Sequence, residues 1–198
     1  MRFLTAGESH GPALVGIIEG LPAGLKIDID KINNELIRRQ AGYGRGPRAR
    51  KIEKDRVEIL SGLWKDKTLG SPLALMITNL DYAKRGGKLH PDWPAPRPGH
   101  ADLPGKIRYD YDGYAQVAER ASARSTAMTV AIGAIAKQLL KQFKVEVLSH
   151  TVSVGMITAD AEATLTKLRR AASNLRCLDK NAEKLMCNEI DIAEKAGA

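Results

Sequence analysis

Three polar peptides carry residue types that neither a core nor an ordinary surface requires. They are Gly7-Glu8-Ser9-His10-Gly11, Arg97-Pro98-Gly99-His100-Ala101-Asp102 and Arg120-Ala121-Ser122-Ala123-Arg124. His10 and His100, two of the four histidines, each stand beside a glycine. Imidazole titrates near pH ~6.5, so at neutral pH it can both donate and accept a proton. A neighbouring glycine permits positive φ and lets a ligand come close. Both properties suit a general acid in a pocket. The competing reading is a surface-loop histidine with no duty. His90, in a Gly/Lys/Pro-rich loop, and His150, inside an expected strand or bent hairpin from Val145 to Met156, are read as having no chemical role.

Between the two histidine peptides lies a cationic segment. Residues 31–70 hold eleven Lys/Arg and five acids, a net +6 within a chain of +8. The centre of that segment, Arg38-Arg39-Gln40-Ala41-Gly42-Tyr43-Gly44-Arg45-Gly46-Pro47-Arg48, is a Gly/Arg loop. The planar guanidinium bonds two phosphate oxygens at once. Glycines let backbone N–H groups turn toward an anion. Charge alone leaves three readings open: a solvated basic face, a pocket for a phosphorylated small molecule, or a nucleic-acid surface, for which a pI near 9.5 is the usual footprint.

Those peptides need elements to position them. Phe3–Thr5 and Leu14–Glu19 read as a strand pair around the first histidine loop. Asp30 reads as the cap of a helix from Lys31 to Arg39, which would project Arg39 beside the glycine loop. Val57–Leu60 and Leu73–Thr78 read as strands. Asp81–Gly105 reads as a long loop with the second histidine near its far end, a length that in a compact domain marks function or disorder. A helix is expected from Ser122 to about Phe143, with Ile132, Ile135, Leu139 and Leu140 as a core stripe. That places Arg120-Ala121-Ser122 at a helix N-terminus, where outward N–H groups and the dipole favour a phosphate or an electron-rich ring edge. The commoner explanation of Ser122 there is a simple cap. Thr164–Ala172 and Asn181–Glu194 read as helices.

Composition narrows the class. At 198 residues and 43% hydrophobic content the chain can bury a real core. No run of 18 apolar residues occurs, so no membrane span is expected, and Met1–Thr5 leads straight to Gly7 without a signal-peptide core. Cys177 and Cys187 have no partners at metal-ligand spacing and read as idle thiols in a reducing compartment; metal catalysis finds no support. Five tyrosines and two phenylalanines are too few to favour single-strand stacking.

The three peptides, together with Arg38-Arg39-Gln40 through Gly42-Tyr43-Gly44-Arg45, resemble in order and spacing the N-terminal signatures of chorismate synthases. The resemblance runs over the whole chain. It implies an α+β fold, a β-α-β sandwich present here in incomplete form, with residues 1–198 the N-terminal part of a single domain. It implies 1,4-elimination of phosphate from 5-enolpyruvylshikimate 3-phosphate, giving chorismate, with reduced FMN and no net redox change. By resemblance His10 would protonate the departing phosphate, and His100 would lie by the flavin and protonate its reduced anionic form. Arg39 and Arg45 would bind the anionic substrate; in bifunctional members the equivalent arginines are also linked to NADP, with NADPH as reductant. Arg120, Ala121 and Ser122 would line the FMN site. A cytoplasmic homotetramer is implied for the full-length protein, with neither nucleic acid nor membrane as partner.

Two departures from the family pattern stand out. Family members commonly carry Glu-Thr after the Arg-Ala-Ser-Ala-Arg peptide, where this chain has Ser125-Thr126. Family chains are also nearly twice as long. The expectation is a fragment, a split gene product or a degenerate copy. Such a chain should leave apolar surface uncovered, for example on the helix from Ser122 to Phe143. The alternatives from other classes are a basic RNA-binding module built on the Arg38–Lys54 loop and a non-catalytic remnant.

Overall fold

A computed structural model describes residues 1–44, 54–171 and 173–197. Strands β1 (Arg2–Ala6) and β2 (Ala13–Glu19) form an antiparallel hairpin with Arg2 opposite Glu19 and Ala6 opposite Val15. Gly7 opens the connecting loop at φ +96, and a Cβ there would lie 2.3 Å from the carbonyl oxygen of Ala13. Only glycine meets both conditions. β3 (Glu58–Ser61) and β6 (Leu73–Thr78) complete a sheet of order β1-β2-β6-β3, antiparallel throughout and bulged between Ile59 and Ser61. The ribbon β4–β5 (Leu63–Trp64, Lys67–Thr68) lies between β3 and β6 in the chain.

The period of two along the strands sends Leu14, Gly16 and Ile18 of β2 and Leu73, Leu75 and Ile77 of β6 to one buried face. Helices α1 (Ile29–Gln40) and α5 (Thr126–Gln142) cover that face. Ile32 and Leu36 of α1 interlock with Ala127, Met128, Ala131, Ile132 and Ile135 of α5 in one core. Gly16 lets α5 come close: a Cβ there would meet the Met128 sulfur at 2.6 Å. Ala127, Ala131 and Ala134 of α5 are buried in this packing.

Several boundaries differ from expectation. α1 is capped by Asp28, whose carboxylate accepts from the Lys31 N–H at 3.3 Å; Asp30 lies in the first turn instead. Asp28 is still extended (φ −103, ψ 106), the conformation an N-cap requires, so the helix starts earlier than the sequence pattern suggests. The segment from Asp81 to Gly105 is not structureless: it contains α2 (Leu80–Lys84) and the start of α3 (Asp102–Tyr109). α4 (Ala115–Ala121) was not anticipated, and Ser122 does not begin the long helix. Ser122 caps a 3-10 turn, Ala123–Ser125, by accepting from the Arg124 N–H at 3.3 Å, and α5 follows. Arg120-Ala121-Ser122 therefore sits at the C-terminal end of α4, not at the N-terminus of α5. Of the strand or bent hairpin expected over Val145–Met156, residues 145–152 are irregular, and a short hairpin forms where Ser153–Val154 (β7) pairs with Ile157–Thr158 (β8).

α6 (Leu165–Arg170) and α7 (Lys180–Ala196) are capped by Thr164 and Asp179. Met186 and Ala182 of α7 join Cys177, Val154 and Ile157 in a small satellite core. Both cysteines are free thiols. The fold class is α+β. The described residues supply one four-stranded sheet with its helical layer, while the remaining strands form two-stranded ribbons. No helix among the described residues is long and apolar enough to cross a membrane.

Candidate active site

The loop between β1 and β2 is tied down from three directions. Asn79, fully buried at the end of β6, donates its amide to the carbonyls of Gly11 (2.8 Å) and Glu8 (3.2 Å). Its own Oδ1 accepts from Arg124 Nε at 2.9 Å. The Arg124 Nη1 in turn meets both oxygens of buried Asp55 at 2.6 and 2.7 Å. From α4, the Glu119 backbone carbonyl accepts from the Ser9 N–H at 3.1 Å. The loop is thus preset by buried hydrogen bonds rather than by its own conformation.

His10 sits at the tip of this frame. Glu119 accepts from its backbone N–H through Oε2 at 2.7 Å and meets its ring Nδ1 through Oε1 at 3.0 Å. The edge of the His90 ring packs on His10 with centroids 5.3 Å apart. Burial raises the Glu119 carboxyl, but the bonds from the His10 ring and backbone, aided by the nearby charges, outweigh it and leave Glu119 below its ordinary value. An ionised carboxylate only accepts, so Nδ1 carries the proton and exchange with a ligand falls to Nε2.

His100 is held in the same manner by a different carboxylate. Its Nδ1 lies 2.6 Å from Oδ1 of Asp102, whose side chain is fully buried. Arg97 clamps that carboxylate with Nε to Oδ2 and Nη2 to Oδ1, both at 2.8 Å, and adds its backbone N–H at 3.0 Å. The Arg97 guanidinium holds the Asp102 carboxyl well below the usual carboxylate range, against the effect of burial. Trp93 stacks under Arg97 at 4.6 Å. His10 and His100 thus occupy separate networks, joined by α4 and the loop of residues 85–101. That loop brings His90 to His10, and its Asp92 accepts from the N–H groups of Tyr114 and Ala115 at the start of α4, both at 2.9 Å.

Arg39 extends from the last turn of α1, as expected, and reaches the 3-10 turn. Its guanidinium donates to the Ala123 carbonyl (2.8 Å) and the Thr126 hydroxyl (3.1 Å) and lies 3.7 Å from Asp55. Arg39 also lines a cavity of about 510 Å³ with Arg38, Tyr43 and Arg176. Arg45 lies outside the described residues, as does most of the basic Arg38–Lys54 segment. Of its described members, Arg38 donates to Glu35 at 2.7 Å. Arg120 and Ala121 are exposed, and Ser122 is half-buried. A second cavity of about 110 Å³ is lined by Gly7, Glu119, Arg120 and Ser125. Ser125 donates to the Ser122 carbonyl at 3.0 Å and closes the turn; it makes no side-chain cap to α5.

The structure therefore gathers His10, Arg39 and Arg120–Ser122 around the end of α4, with His100 on the adjoining loop. Sequence reasoning missed Glu119, Asn79, Asp55, Arg85 and His90. Glu119 borders the Arg120 peptide, which is the one local signal that marked it. Asp55 and Asn79 carry no such signal, because their partners are 69 and 45 residues away. Among the described residues no cluster of His, Cys, Asp and Glu is arranged to hold a metal ion.

Comparison with known proteins places this geometry. The sequence profile of the chorismate synthase family matches residues 1–198. The chain is 50% identical over 206 residues to the chorismate synthase of Alkaliphilus metalliredigens, covering 99% of this chain and 54% of that protein. It is 46% identical over 212 residues to that of Enterococcus faecalis, covering 100% and 54%. A crystal structure of chorismate synthase matches it with a TM-score of 0.78 at 38% identity, over 99% of this chain and 54% of that one. The chain spans about half the length of the curated relatives it matches. The motifs, the antiparallel sheet under α1 and α5, and the family profile agree along its whole length, and the chain belongs to the chorismate synthase family.

Proposed function

We propose that this chain carries the N-terminal part of a chorismate synthase domain, a carbon–oxygen lyase acting on 5-enolpyruvylshikimate 3-phosphate. The observation that carries the reading is the pairing of His10 and His100, each through Nδ1, with the carboxylates of Glu119 and Asp102. With Nδ1 turned to the carboxylate, Nε2 is the ring nitrogen left to pass a proton to a ligand. In a 1,4-elimination the phosphate leaves with the electrons of its C–O bond, and a proton leaves to a base from the far end of the unsaturated unit, its C–H electrons forming the new double bond. His10 gives its Nε2 proton to the departing phosphate. Arg39, with Arg45, balances the substrate's negative charge, which counts for more once water is excluded.

The residues present fit part of a flavin site. A cavity of about 110 Å³ beside exposed Arg120 is below the range of ~300–1,000 Å³ usual for cofactor pockets, but it accommodates a phosphate-sized group. Arg120, Ala121 and Ser122 would hold FMN on this side, and by the family resemblance His100 would keep a proton for the reduced ring. Reduced FMN, when bound, supplies the electron density that helps the phosphate leave. NADPH as reductant, a homotetramer in the full-length protein and a cytoplasmic setting belong to the same reading. The RNA-binding alternative draws less support, since Arg38 and Arg39 are engaged with Glu35, Asp55 and Thr126.

The test is an anaerobic assay of the chain with reduced FMN and 5-enolpyruvylshikimate 3-phosphate, with FMN affinity measured alongside. Chorismate formation, abolished by His100→Ala, is the expected outcome if these residues suffice. FMN affinity that rises on adding substrate, without turnover, is expected if they form only one wall of the site. A folded sample that binds neither ligand, yet binds RNA of any sequence with steep salt dependence, would overturn the proposal.

A further inference from the structure

Every hydrogen-bonding group on the inner side of His10 has a designated partner, and these partners come from different elements. Glu119 of α4 takes both the backbone N–H and the ring Nδ1. Arg85, at the end of α2, donates Nη2 to the His10 carbonyl at 2.8 Å and is itself fixed by Asp81 at 3.2 Å. The His90 ring closes another side at an interplanar angle of 73°. A carboxylate, a guanidinium and an imidazole thus face His10. A 180° flip of the His10 ring would replace Nδ1 by a carbon against Glu119 and forfeit that bond. The backbone bond to the same carboxylate keeps Glu119 from following the ring if it turns. The side chains of His10 and Glu119 are 13% and 14% exposed, so water competes poorly for either.

We propose that Glu119 is the positioning residue of His10: one carboxylate fixes backbone and ring together, locks the Nδ1-protonated tautomer and presents Nε2 to the ligand. The inference rests on His10 being the acid of the proposed reaction, but its test does not require turnover. The ring nitrogens of the folded chain are observed by long-range ¹H–¹⁵N NMR after ¹⁵N-histidine labelling, with His10 assigned by its disappearance in His10→Gln. The expected result is a neutral-state His10 protonated on Nδ1 in the unmodified chain. Glu119→Gln leaves one acceptor for two N–H groups; with its oxygen on the backbone N–H its NH2 faces Nδ1, and the neutral ring shifts to Nε2–H. Glu119→Ala removes the acceptor, and the Nδ1–H signature is lost to Nε2–H, while circular dichroism reports an intact fold. A neutral His10 protonated on Nε2 in the unmodified chain overturns the proposal, as does an unchanged Nδ1–H in Glu119→Ala. If Glu119→Ala fails to fold, the tautomer of the unmodified chain decides by itself. Absence of chorismate formation would bear on the proposed activity and leave the tautomer result untouched; the wrong tautomer would leave the family assignment and the activity standing.

Discussion

Two histidines in this chain meet carboxylates through the same ring nitrogen, but the carboxylates differ. Asp102 is fully buried and clamped by Arg97, so much of its charge is already balanced before His100 approaches. Glu119 is half-buried and divides its oxygens between the ring and backbone of His10. The Asp102 arrangement has a consequence for acid stability. Its carboxyl is depressed in the folded chain, chiefly by the Arg97 bonds, relative to ~3.9 for a free aspartate. A depressed carboxylate stabilises above the unfolded value, and that contribution is lost as pH falls through the folded one. Asp102→Ala should cost about 2 kcal/mol at neutral pH, the scale of charge-assisted hydrogen bonds. Thermal melts of both proteins between pH 2 and 7 should show a constant gap above about pH 5 that narrows below about pH 4. A gap independent of pH would show that the carboxylate charge contributes nothing.

At the scale of elements, the β1–β2 hairpin and α5 meet where Gly16 faces Met128. No side chain separates the strand from the helix there, and this close approach brings the His10 loop next to the turn of Arg120–Ser125. Alanine at position 16 would press on the Met128 sulfur, which is flexible enough to yield. A Cβ there also lies 3.2 Å from Ile132 Cδ1, and the two γ-carbons of valine would add to both contacts. Gly16→Val should therefore lower stability by about 1–3 kcal/mol, as overpacking does, with Gly16→Ala distinctly milder; chemical denaturation of the two variants checks the order. α4 plays the complementary part. It is only seven residues long, yet it delivers Glu119 to His10 because Asp92 of the preceding loop caps its start.

At the scale of the molecule, the expected bare face lies elsewhere than on the long helix. α5 buries Ala127, Met128, Ala131, Ile132, Ala134 and Ile135 between the sheet and α1. One uncovered apolar surface is the opposite face of the sheet, where Leu4 (73% exposed) pairs with Ile17 (44%) and Ile17 with Ala74, and Leu60 (57%) stands at the bulge. Neighbouring exposed aliphatic side chains on one sheet face favour association. The chain should self-associate in a concentration-dependent way by light scattering, and Leu4→Lys with Ile17→Thr should reduce it. A compact, monodisperse monomer at all concentrations would count against this.

The sequence alone determined the hairpin around His10, the strand Leu73–Thr78, Ile132 and Ile135 of the long helix's core stripe (Leu139 is only partly buried and Leu140 lies outside the core) and the four motifs that identify the family. These are local features: a period of two or 3.6, a glycine, a run of charged residues within a few positions. Only the tertiary structure decided which carboxylate serves which histidine and where Arg39 points. It also turned the Arg120 peptide from a helix start into a helix end and gave His90 a neighbour. The physical reason is the span of the contacts. Glu119 meets His10 across 109 residues and Arg124 meets Asp55 across 69, so neither pair leaves any trace in local pattern. The same holds for the cap of α4, which comes from Asp92, 22 residues before the N–H it accepts from. Side chains that can do chemistry are legible from their type and their glycines, whereas the partners that give them a tautomer and a direction are set by packing.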